Sequence, residues 1–96
     1  MARVQIARAA DEDLAALIRS HDLPADTRPR VKDRLQPLAR FPLSGQAIGD
    51  GPWAGFRKTT GPWPWMLIVH DYDEPTDTVT VVTIQDGRTS AVATRY

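Results

Sequence analysis

The chain has 96 residues, no cysteine, and twelve basic against twelve acidic side chains, so its formal charge is zero. That length suits one domain, residues 1–96, with a single core, and the lack of cysteine excludes disulfides and thiolate chemistry. Two histidines are too few for a zinc motif, no Gly-rich phosphate loop is present, and no apolar run reaches membrane-spanning length. These absences predict no metal, no cofactor and no membrane partner, and a start without a signal-peptide stretch suits a cytoplasmic protein.

Val4 and Ile6 alternate with Arg3, Gln5 and Ala7, which predicts a short half-buried strand. Asp11 stands where a helix N-cap would, with Glu12 and Asp13 placed well against the helix dipole. Leu14, Leu17 and Ile18 follow at helical spacing, and Asp22-Leu23-Pro24 ends that helix. A second helix starts near Asp26 or Thr27, with Pro29 in its first turn and Val31, Leu35 and Leu38 as its buried stripe. Pro37 costs a mid-helix hydrogen bond, about 3 kcal/mol, so a kink or break belongs near Gln36. The two helices form an antiparallel hairpin.

From Phe41 to Pro52 the chain reads as loop. Three strands follow, at Phe56–Thr60, Trp65–Tyr72 and Thr78–Gln85, the last two joined by a turn over residues 73–77. The order is β-α-α-β-β-β: an α+β fold with a helix hairpin on a small, mostly antiparallel sheet.

Charge is separated although it sums to zero. Arg28, Arg30, Lys32, Arg34, Arg40, Arg57 and Lys58 crowd the middle of the chain, with only Asp33 and Asp50 opposing them. A basic face of this kind points to an anionic partner. The run Arg28, Arg30, Lys32 and Arg34 reads either as an interface or as a solvated helix face. Trp53 and Trp63, in Gly- and Pro-rich loops, read as interface anchors or as covers for the end of a small core. The edges of a small sheet offer a further docking route by strand addition.

Four segments resemble the RelE/ParE superfamily of type II toxin–antitoxin toxins. They are Asp33-Arg34-Leu35 through Phe41-Pro42 with Ser44-Gly45, then Phe56-Arg57-Lys58, Trp65-Met66-Leu67-Ile68-Val69, and Thr83-Ile84-Gln85-Asp86-Gly87-Arg88. The resemblance implies a bacterial growth inhibitor held inactive by a cognate antitoxin. It allows two chemistries: ribosome-dependent mRNA cleavage, as in RelE-like members, or poisoning of DNA gyrase, as in ParE-like members. If RelE-like, Arg57, Lys58 and Arg88 carry catalysis, with alternation sending only one of Arg57 and Lys58 to the concave face. In either case Arg28, Arg30, Lys32, Arg34, Trp53 and Trp63 are the candidate partner-binding residues.

Two departures weigh against the nuclease. The family's catalytic arginine position falls on Met66, and its histidine before Gly-Arg is Asp86, which repels phosphate. His70 reads as an acid–base group or a structural histidine, and His21 as a favourable charge at a helix end. Tyr96 reads as a stacking aromatic or a frayed end. The balance favours the ParE-like reading, with RelE-like cleavage as the alternative and an inactive, partner-binding relative as a third.

Overall fold

The computed structural model describes residues 1–88. The expectation for Tyr96 lies outside them. Eight elements follow in order: β1 (Arg3–Ile6), α1 (Arg8–Ser20), α2 (Thr27–Leu35), α3 (Pro37–Arg40), β2 (Gln46–Ala47), β3 (Arg57–Thr60), β4 (Met66–Asp73) and β5 (Thr78–Asp86). The strands form one sheet in the order β1-β5-β4-β3-β2. β1 runs parallel to β5, and the remaining pairs are antiparallel. The helices lie on one face, so the fold is α+β with a mixed sheet, as the sequence predicts.

Most differences from the sequence reading lie at boundaries. Helix α1 begins at Arg8, one residue after Ala7 donates its N–H to Val81 at 2.9 Å, so Asp11 is not the N-cap. The early start brings Ala10 into the core, fully buried, and leaves Asp11 to pair with Arg28 across the hairpin. Pro37 breaks the second helix as expected: α2 ends at Leu35, and Pro37 opens the separate turn α3. Gln46–Ala47 pairs with Arg57 and Lys58 and adds a strand inside the expected loop.

The predicted stripe of Val31, Leu35 and Leu38 is buried, and with Ala10, Leu14, Met66, Ile68, Val79, Val81 and Ile84 it makes the core between helices and sheet. A bulge opposite Val69 and His70 lets β5 supply that core. Val69 pairs with Thr83 but His70 with Val81, so Val82 is the extra residue and both Ile84 and Val81 face the helices. Helix α1 is tied down by Asp13, whose carboxylate accepts from the Thr83 hydroxyl at 2.6 Å and the Ile84 N–H at 3.4 Å. Among the described residues no helix is long and apolar enough to cross a membrane.

Candidate functional site

Two surfaces hold the residues that the sequence singles out: the sheet face away from the helices, and the end of β5. Alternation divides the strands between the two faces. Met66, Ile68 and His70 of β4 lie under the helices, while Leu67 and Val69 lie on the outer face. In β3, Arg57 sits opposite His70 and Thr59 opposite Ile68, whereas Lys58 sits opposite Val69 and Thr60 opposite Leu67. Of Arg57 and Lys58, therefore, Lys58 takes the outer face, where it is only 8% exposed. Met66 is fully buried beneath the helices, so the position that the sequence assigns to a catalytic arginine does not reach the outer face at all.

The outer face is covered only beside β3; toward β1 its row of Asp71, Thr80 and Gln5 stays open, with Gln5 and Asp71 exposed. Between β2 and β3 the chain folds back on itself, with Ile48 N–H donating to Phe56 and Gly55 N–H to Ile48, at 2.9 and 3.0 Å. This lid buries Ile48 with Val69, and Trp53, Phe56, Leu67 and Val82 pack around that pair. Trp53 meets Phe56 edge to face at 5.5 Å. That part of the outer face is a second, smaller apolar core.

Under the helices, His70 is fully buried, and its Nε2 lies 2.9 Å from the Thr59 hydroxyl. Burial, then the nearby Arg57 charge, lowers its pKa, with Asp71 opposing in part. Gly45 passes directly above: a Cβ there would stand 2.6 Å from the Lys58 carbonyl and 3.2 Å from His70 Nε2. The Arg57 guanidinium reaches back to the Gly45 carbonyl at 3.3 Å.

At the end of β5, Asp86 gathers an arginine and a histidine. Arg88 donates to both of its carboxylate oxygens, from Nε at 3.0 Å and Nη2 at 2.8 Å, and adds its backbone N–H at 2.9 Å. His21 Nε2 lies 3.0 Å from the same carboxylate, and His21 Nδ1 lies 2.8 Å from the Ser20 hydroxyl. The Arg88 bonds, supported by His21, hold the Asp86 carboxyl well below the usual range. The His21 ring stacks on Trp65 at 4.5 Å, Trp65 on Trp63 at 6.2 Å, and the Arg30 guanidinium caps Trp63 at 5.6 Å. Arg88 also lies 5.3 Å from the Trp65 ring centre. Sequence reading missed His21 as a member of this cluster, because its partner Asp86 stands 65 residues away.

The three cations proposed for catalysis are not gathered. Arg57 shares a row with His70 and Arg88 follows the row of Met66, so about 13 Å of strand separates them, while Lys58 faces the other side. Around α2, Arg28 pairs with Asp11, Arg30 with Asp26, and Arg34 donates to the Thr60 carbonyl at 2.9 Å. Helical spacing puts Arg28 and Lys32 on one flank and Arg30 and Arg34 on the other, so the basic run is two short edges rather than one face.

No protein-family model matches the sequence, and no curated protein matches it. Solved structures do share the fold. A metal-bound toxin from Helicobacter pylori superposes with a TM-score of 0.62 at 20% identity, over 90% of this chain and 94% of that one. A conserved hypothetical protein from the same organism, HP0892, gives 0.59 at 17% identity, with the same 90% and 94% coverage. A chain of the RelBE2 toxin–antitoxin complex from Mycobacterium tuberculosis gives 0.52 at 20% identity, covering 88% of this chain and 90% of that one. The fold is thus that of RelE-like toxins.

Proposed function

We propose that this chain is the toxin of a type II toxin–antitoxin module, acting in the cytoplasm on DNA gyrase as ParE-like proteins do, by binding rather than by cutting RNA. One observation carries the choice of mechanism: the part of the outer sheet face beside β3 is an apolar core under a lid, where Leu67, Val69 and Val82 pack with Ile48, Trp53 and Phe56. Cleavage at a 2′-hydroxyl requires a base, an acid and cations converging on one phosphate. Here Arg57 and Lys58 occupy opposite faces and Arg88 is engaged by Asp86. The fold shared with toxins, one of them in a toxin–antitoxin complex, supports the broader reading.

A second reading rests on His21. Its imidazole stands beside Arg88 at the end of β5, so an acid–base group and a cation are adjacent there. Inducible expression in bacteria, with DNA and protein synthesis followed separately by label incorporation, decides between them. Early loss of DNA synthesis, relieved by a poison-resistant gyrase, is the expected result. Early loss of translation with cleavage inside codons would establish the nuclease, and unimpaired growth with soluble protein would reject both in favour of an inactive relative.

A further inference from the structure

Where α1 stops beside the end of β5, three polar side chains stand in series. The Ser20 hydroxyl lies 2.8 Å from Nδ1 of His21, and Nε2 of the same ring lies 3.0 Å from the Asp86 carboxylate. A serine, a histidine and a carboxylate linked in this way are the groups that make a serine nucleophilic. The ring is used in the reverse sense from the usual triad, with Nδ1 toward the serine. Nδ1 is the nitrogen nearer the backbone, so the hydroxyl of the preceding residue reaches it, and the outer nitrogen is left for the carboxylate 65 residues away.

Charge decides which way the protons run. The bonds from Arg88 keep Asp86 ionised, and a carboxylate only accepts, so in the neutral imidazole the proton belongs on Nε2. That leaves a lone pair on Nδ1, facing the Ser20 hydroxyl. The competing acceptor is the Leu17 carbonyl at 3.5 Å, which already takes the His21 N–H at 3.0 Å. Stacking on Trp65, at 4.5 Å and 13° between the planes, fixes the ring's orientation. Ser20 is exposed, whereas the His21 and Asp86 side chains are 25% and 12% exposed. The hydroxyl thus faces solvent while the groups behind it are shielded.

We infer that Ser20 is an activated nucleophile that takes an acyl group from an activated acyl ester, with His21 as general base and Asp86 as the residue that positions it. As Ser20 Oγ bonds to the acyl carbon, its proton passes to His21 Nδ1. The bond from that carbon to the leaving oxygen breaks with its electron pair, and the proton leaves His21 for that oxygen or for water. The product is an O-acyl serine. The location sets the donor class. Ser20 is the last residue of α1, where the helix dipole opposes a developing oxyanion, so the donor must bring a good leaving group. A phosphoryl group would add about two negative charges at that same helix end, next to Asp22, whereas an acyl group adds none.

The probe is p-nitrophenyl acetate, added to the full chain, with acetylation followed residue by residue by peptide mass spectrometry. Ser44, exposed in the loop after α3, is the internal reference. General-base assistance is worth about 10²–10⁴-fold when fully aligned, so Ser20 should acetylate at least about tenfold faster than Ser44. His21→Phe keeps a ring on Trp65 but removes both nitrogens, and should bring Ser20 down to the Ser44 rate. Asp86→Asn should slow Ser20 as well, and should move the His21 ¹⁵N signals from one Nε2–H tautomer toward a mixture, which loss of packing alone would not do. Ser20 reacting no faster than Ser44 in the native chain overturns the inference without recourse to any variant. His21→Phe reacting as fast as the native chain overturns it too, and an unchanged rate and tautomer in Asp86→Asn overturns the role given to Asp86.

Discussion

Replacing Gly45 by alanine tests the contact that joins the loop after α3 to the buried histidine. Gly45 has a φ of +92°, and an added Cβ would lie 2.6 Å from the Lys58 carbonyl, 2.9 Å from the Thr59 hydroxyl and 3.2 Å from His70 Nε2. Gly55 has nearly the same backbone, φ +90°, with nothing within 4 Å of its Cβ position. The positive φ alone costs an L-residue about 1–2 kcal/mol, offset in part by lower entropy of the unfolded chain. Gly55→Ala should therefore destabilise by about 1 kcal/mol. At Gly45 the same strain adds to a backbone clash that the sheet cannot relieve, and overpacking of this kind costs about 1–3 kcal/mol more. With a urea m-value of about 1 kcal/mol/M for a domain of this size, the Gly45→Ala midpoint should fall about 1–3 M below that of Gly55→Ala. Equal midpoints for the two variants would mean that residues 44–46 do not lie against β3, and the account of His70 would fail with them.

The buried histidine also predicts a pH response. Its folded pKa is lowered, so the unfolded chain binds the proton more readily; stability should be full above about pH 6.5 and decline as pH falls through and below it, at no more than about 1.4 kcal/mol per unit. Urea midpoints between pH 5 and 8 should show this for the native chain and lose it in His70→Gln; a matching decline in the variant would assign the effect elsewhere. Trp53→Ala should strip the lid from the outer face and, because Trp53 is only half-buried, cost about 2 kcal/mol, read as a urea midpoint lower by about 2 M. No change would show that the lid does not cover Val69. Asp86→Ala should release Arg88 and His21, strengthening binding to single-stranded RNA and steepening its log–log salt dependence by about 0.7. An unchanged slope by fluorescence anisotropy would refute the claim that Asp86 engages Arg88.

The fold was legible because its signals are local. Val31, Leu35 and Leu38 mark a helical stripe over only eight positions, Pro37 breaks the helix where ring geometry demands it, and β-branched residues from Thr78 onward allow little but a strand. The N-cap was misread for a reason equally physical. Asp11 has the right chemistry for a cap, but Ala7 is already held by Val81, and burial of Ala10 outweighs a capping bond worth about 1 kcal/mol. Tertiary pairing fixed the start of α1, and nothing in the local sequence records that pairing.

The site was less legible, because it depends on which face each strand residue takes and on what covers that face. Alternation alone places Met66, Ile68 and His70 together but does not say which side the helices choose; the helix choice then sends Arg57 inward and Lys58 outward. The bulge at Val82 shifts the parity of β5 partway along, so a simple count from Asp86 back to Val79 assigns the wrong face. Asp86 shows the same difficulty most clearly. Read alone, it is a carboxylate that repels phosphate; in the fold it is the group through which Arg88, His21 and, by stacking, Trp65 are held as one unit. An arginine so engaged still carries its charge, but the Asp86 carboxylate already takes the Nε–Nη2 edge through which it would hold a phosphate in bidentate fashion. In the ParE-like reading proposed above, that engagement of Arg88 counts together with the buried Met66 toward action by binding.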